Sequence, residues 1–125
     1  MFSITTLKKS LGHAWHGIKV TAREEHSFRV QIVVSIIVFV GMWIFPISAG
    51  ERGILALAGV FVLVLELLNS ALERFVDVIK PVVHHYAKDI KDIMAGAVLV
   101  SSLGAGLIGV AILGPHILTL ILAAT

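Results

Sequence analysis

Residues 54–68 read ILALAGVFVLVLELL, and Glu66 is the only charge in that run. Residues 66–77 continue as ELLNSALERFVD. Wound as one helix at about 100° per residue, Asn69, Ser70, Glu73 and Asp77 fall at about 300°, 40°, 340° and 20° from Glu66. Three acids, an amide and a hydroxyl therefore share one narrow stripe of an otherwise apolar helix. An ionised carboxylate in the middle of a membrane helix costs roughly 2.5–3.5 kcal/mol on insertion scales. A chain with no use for the stripe is more stable with leucine there, so the stripe marks a function. Proton or cation transport, metal-assisted phosphoryl transfer and subunit pairing all use such acids, and spacing alone does not choose among them.

The rest of the chain is equally apolar. Of its 125 residues, 58% are hydrophobic and 14% charged, against about 45–50% and 25% in soluble domains. This predicts an all-α integral membrane protein with a single domain. Apolar runs cover about 30–48, 54–72 and 93–113, each near the 20 residues that cross about 30 Å of hydrocarbon. The spans are expected over about 30–48, 54–79 and 91–113. Pro81 is expected to end the second helix near Ile79. There is no cysteine, which excludes disulfide and thiolate chemistry. No signal peptide is expected, because Lys8, Lys9, His13, His16, Lys19 and Arg23 interrupt the N-terminal segment.

Charge sets the expected orientation. Lys8, Lys9, Lys19, Arg23 and Arg29 precede the first run, and Arg74, Lys80, Lys88 and Lys91 follow the second. The turn between those runs carries one cation, Arg52. By the positive-inside rule the N-terminus is cytoplasmic, and the stripe emerges on the cytoplasmic side. Residues 4–28 carry Ile4, Leu7, Leu11, Ala14, Trp15, Ile18 and Ala22 at helical spacing. That pattern predicts an amphipathic helix on the inner leaflet, with Trp15 at headgroup level. Glu25 falls on its apolar side, at about 300° from Ile4, whereas Glu24 faces water.

Two other patterns carry less. Residues 104–109 match G-x-G-x-x-G, but no strand precedes them and no charge lies nearby, so close helix packing explains the small residues better than a nucleotide loop does. His84 and His85 are adjacent and, on a helix, diverge. Lys88, Asp89, Lys91 and Asp92 allow two readings. One is a solvated helix start with i,i+3 and i,i+4 pairs. The other is a phosphate clamp, with Lys91 as the cation and Asp92 as its orienting partner or a nucleotide contact. The stripe on the same side favours the clamp.

Glu66-x-x-Asn69-Ser70-Ala71-x-Glu73-x-x-x-Asp77, followed by Lys91-Asp92, resembles the prokaryotic diacylglycerol kinase and undecaprenol kinase family. Trp15-His16-Gly17 and Glu25-His26-Ser27-Phe28-Arg29 resemble that family's Trp-x-Gly and Glu-x-x-Phe-Arg segments, and the likeness spans about residues 5–110. It implies a three-span lipid kinase, assembled as a homotrimer in the bacterial inner membrane, that moves the γ-phosphate of ATP to a lipid hydroxyl. By the same resemblance Glu66 is the catalytic base. Glu25 and Glu73 hold Mg²⁺ and, with Asn69, Asp77, Lys91 and Asp92, surround the nucleotide and its phosphates; His84, read on its own as either an interfacial residue or a phosphate contact, is added to that nucleotide set. The expected lipid-binding set is Glu66, Asn69, Ser70, Trp15 and Ala95. Residues 91–99 read KDIMAGAVL, closer to the undecaprenol kinase branch, with Ala95 where the diacylglycerol kinases carry serine. The acceptor implied is undecaprenol or diacylglycerol, and no nucleic acid is expected as a partner. The rival reading is an oligomeric proton or cation transporter with Glu66 as carrier. It accounts for one buried acid but not for Glu25, Glu73, Asp77, Lys91 and Asp92 gathering beside it. Three spans cannot shield a polar stripe from lipid alone, so neighbouring chains are expected to cover it.

Overall fold

The computed structural model describes residues 3–125 and is all-helical there. Its four helices are α1 (Ile4–Glu24), α2 (His26–Ile44), α3 (Ala49–Val83) and α4 (Ala87–Ala124). The helix expected over 4–28 is thus shorter. Ser3 caps its start by accepting the Thr6 N–H at 3.1 Å. Glu25 leaves helical geometry, at φ −106° and ψ 111°, and α2 begins at the next residue. No glycine or proline causes this break. Tertiary bonds hold it: Nη1 of Arg29 donates to the carbonyls of Ala22 at 2.9 Å and Arg23 at 2.8 Å. Phe28, buried one turn away, anchors the start of α2.

α2 stops at Phe45, the residue before Pro46, where the proline ring disfavours helical geometry. Ser48 and Glu51 then form a reciprocal capping box that starts α3. Those bonds hold the Glu51 carboxyl below its ordinary range. The 35 residues of α3 extend about 52 Å at 1.5 Å per residue, well beyond the hydrocarbon thickness. Pro81 does not end α3 near Ile79 as expected. It sits in the last turn, and the helix continues two residues beyond it to Val83. α4 likewise runs past the expected limit of 113 and carries Pro115 inside it. The sequence beyond that proline is uncharged apart from His116 and mostly apolar, and Thr119 Oγ1 donates to the Pro115 carbonyl at 2.9 Å.

α3 packs most extensively on α4 and next on α2, while α1 touches α2 and α3. At one end of the bundle Met42, Ile47, Leu55 and Leu113 form the buried apolar cluster, flanked by Val38, Phe45, Ile108 and Ile112. Elsewhere most large apolar side chains face outward, among them Ile37, Trp43, Leu57, Phe61 and Leu107. Three helices, α2, α3 and α4, are long and apolar enough to cross a membrane. An apolar surface this large is suited to lipid or to other subunits, and in water it invites aggregation.

Candidate active site

The stripe on α3 turns inward. Val62, Glu66 and Ser70 recur at a spacing of four and are all buried, which puts the acid on the face that the other helices cover. Glu66 is only 3% exposed. Its Oε2 accepts a hydrogen bond from Ser27 Oγ at 3.1 Å, reaching across from the first turn of α2. Oε1 makes no hydrogen bond among the described residues and is the free face of the carboxylate. One turn along, the Asn69 amide oxygen is buried without a donor. An orphan acceptor of this kind is costly, and it suits a ligand that brings a hydroxyl or N–H.

Ser70, 1% exposed, is engaged by Arg74, whose Nη1 donates to its hydroxyl and, at 3.3 Å, to its carbonyl. Nη2 of the same guanidinium forms an ion pair with Glu24 at the end of α1. Glu24 is exposed, as helix geometry suggests, and is paired there as well. The pair presses the α1–α2 break against α3, and the sequence neighbours of its two members are Glu25 and Glu73. Both neighbours are half-buried, and neither takes part in an ion pair among the described residues.

Nearer the exposed end of the stripe, Lys91 Nζ donates to Asp77 Oδ1 at 2.6 Å, and Lys88 Nζ donates to Asp92 Oδ2 at 2.7 Å. The expected Lys91–Asp92 partnership is thus exchanged. Asp92 takes the lysine one helical turn before it, and Lys91 reaches across the hairpin to α3. Lys88 lies on the water side of the apolar run, and its bond to Asp92 raises its affinity for the proton. A shallow cavity of about 270 Å³ opens here between the end of α3 and the start of α4, lined by Lys80, His84, Ala87, Lys88, Lys91 and Asp92. His84 thus falls beside Lys91 and Asp92. Its ring meets that of His85 edge-on at 5.4 Å, so the two do not diverge as adjacent residues on a regular helix would. The helix gives way to a turn there.

The remaining expected residues lie apart from this group. Trp15 is exposed on α1, and Ala95 is exposed on α4. Ser27, Arg74, Glu24, Lys80 and Lys88 belong to the polar assembly but were not singled out as site residues. Only Lys88 carried a sequence signal, its place in the charged start of α4. The contacts of the other four depend on how α1, α2 and α3 align.

Among the described residues no three acidic or histidine side chains gather into a metal cage. A divalent magnesium ion does not need one, since it takes one or two carboxylates and completes its shell with phosphate oxygens and water. The uncommitted glutamates at 25 and 73, flanking one bonded pair, fit that modest demand.

The model of a known family, prokaryotic diacylglycerol kinase, matches residues 12–113. The chain belongs to the prokaryotic diacylglycerol kinase family. Members of that family resemble it along most of its length. An undecaprenol kinase of Bacillus subtilis is 38% identical over 111 residues, covering 87% of this chain and 89% of the relative. A diacylglycerol kinase of Synechocystis sp. is 34% identical over 112 residues, covering 89% of the chain, which spans 64% of that relative's length. A diacylglycerol kinase of Escherichia coli strain K12 is 31% identical over 98 residues, covering 78% of the chain and 80% of the relative. The family match takes in Glu25, the whole stripe and Lys91-Asp92, so the polar assembly lies inside the region shared with these lipid kinases.

Proposed function

We propose that this protein is an ATP- and Mg²⁺-dependent lipid kinase. In this reading it transfers the γ-phosphate to the hydroxyl of undecaprenol or diacylglycerol at the cytoplasmic face of the inner membrane. The observation that carries the reading is the run of polar groups along one helix. A buried carboxylate, Glu66, lies at one end, and a lysine-lined cavity opens at the other. Asp77 lies eleven positions after Glu66, which is about 16 Å along a helix. That span suits a lipid hydroxyl at headgroup depth below a nucleotide entering from water.

Phosphoryl transfer asks mainly for positioning and for neutralised phosphate charge. Glu66 Oε1 takes the proton of the lipid hydroxyl. The freed oxygen bonds to the γ-phosphorus as the bond from that phosphorus to the ADP oxygen breaks. Lys91 and His84 face the phosphates from the cavity, and Asp77 and Asp92 hold the flanking lysines. Mg²⁺, when bound by Glu25 and Glu73, neutralises charge on the phosphate oxygens. Asn69 and Ser70 orient the acceptor, with Trp15 and Ala95 along the lipid. Undecaprenol is the favoured acceptor because Ala95 replaces the serine of the diacylglycerol kinases. The outward apolar surface and the half-open stripe support an oligomer, and the family resemblance favours a homotrimer. The N-terminus is cytoplasmic, with α1 lying on the inner leaflet.

The test uses purified protein in detergent with labelled ATP, Mg²⁺ and each lipid in turn. Label on a lipid is the expected result, with undecaprenol labelled faster. Label on neither lipid, together with ion flux in proteoliposomes, rejects the kinase and favours the carrier.

A further inference from the structure

We infer that Ser27 is the positioning residue for Glu66. The inference rests on the reading of Glu66 as the base. Ser27 is the only hydrogen-bond partner of Glu66 among the described residues, through Oε2 at 3.1 Å. With one oxygen fixed, the carboxylate plane is set, and Oε1 is the oxygen left to meet a lipid hydroxyl. A carboxyl side chain otherwise turns freely about its last torsion, and a base that turns loses the alignment that proton removal requires.

The turn that carries Ser27 is itself held. Glu25 is extended, Phe28 is 3% exposed, and Arg29 clasps the end of α1 through the carbonyls of Ala22 and Arg23. The break between α1 and α2 thus has a second purpose beside presenting Glu25. It delivers a hydroxyl donor to the buried acid of α3, 39 residues away in sequence. Ser27 keeps its proton throughout. It donates to Oε2 before the transfer and continues to do so once Oε1 has accepted the proton of the lipid hydroxyl.

The experiment compares Ser27→Ala, Ser27→Thr, Glu66→Gln and the Ser27→Ala/Glu66→Gln double variant, as purified proteins with labelled ATP, Mg²⁺ and undecaprenol. Ser27→Ala is expected to lower kcat about tenfold, the rate equivalent of one lost hydrogen bond. KM for ATP and for lipid should stay within about twofold, since neither substrate loses a contact. Ser27→Thr, which keeps the hydroxyl, should restore most of kcat. On the Glu66→Gln background Ser27→Ala should change nothing further, because the two act as a unit. Equal melting temperatures exclude a folding defect as the cause of the loss. If Ser27→Ala fails to fold, Ser27→Thr with a wild-type kcat, beside a folded Ser27→Cys with a lowered one, carries the same conclusion. An impaired Glu66→Gln beside an unimpaired Ser27→Ala overturns the Ser27 assignment alone. An unimpaired Glu66→Gln removes the base reading and this inference with it. A rise in KM without loss of kcat also overturns the assignment.

Discussion

The two ends of the bundle are held together by different forces. At the α2–α3 turn, Met42, Ile47, Leu55 and Leu113 pack into one apolar cluster. A methyl group on Gly41 would already be in van der Waals contact with Leu113 at 3.5 Å. The one strong cation there, Arg52, is spent on structure. Its Nε donates to the Met42 carbonyl at 2.9 Å, and its guanidinium lies over the Trp43 ring. At the α3–α4 turn the order is reversed. Few apolar residues are buried, namely Phe28, Val76 and Ala87, and the polar contacts that cross between helices include Ser27–Glu66, Glu24–Arg74 and Asp77–Lys91. One buried acceptor, on Asn69, is left without a partner. Closed packing at one end and unfinished polar groups at the other indicate where the scaffold stops and the chemistry begins. Changes at the two ends should therefore separate stability from activity.

Magnesium gives the largest contrast. Chelation with EDTA should abolish phosphate transfer to either lipid while leaving the melting temperature of nucleotide-free protein unchanged. A large drop in melting temperature on chelation would instead make the metal structural. Leu55→Ala comes next and acts at the other end. It should destabilise the fold by about 2 kcal/mol, low in the range for such truncations because lipid rather than water surrounds the helices. Thermal melting measures that loss, and the kcat of the protein that remains folded should be unaltered. Lys91→Ala should raise KM for ATP about tenfold, the cost of one charge-assisted phosphate contact. It should hardly move the melting temperature, because its bond to Asp77 is exposed to solvent. The smallest effect is expected from Lys88→Ala, which breaks only an exposed pair one turn apart. Melting should show no change, and a KM shift as large as that of Lys91→Ala would redraw the cavity's contacts.

The sequence made the architecture legible because three apolar runs and one polar stripe are local patterns. Glu66, Ser70 and the helix that carries them follow from periodicity alone. Of the misread boundaries, one depends on tertiary structure. The break at Glu25 has no local breaker and depends on Arg29 reaching back to α1. Pro81 reads as a stop, yet the helix runs on through it to Val83. Partner choice was equally hidden. Lys91 pairs with Asp77 because the hairpin sets α4 beside α3, a relation that the adjacent Lys91-Asp92 in sequence conceals. Ser27 could not be found at all from pattern, since a hydroxyl in the first turn of an apolar helix looks solvated until the register of α2 on α3 is known.

Glu66→Gln tests the account most directly, because glutamine keeps the shape and still accepts from Ser27 but cannot take up the lipid proton. Labelled ATP and undecaprenol, with nucleotide binding and melting followed in parallel, provide the measurement. Turnover should fall by at least about a thousandfold, within the range attributed to a positioned base, while melting and nucleotide affinity stay at wild-type values. A variant that phosphorylates lipid at a near-normal rate would contradict the claim that this buried carboxylate activates the acceptor.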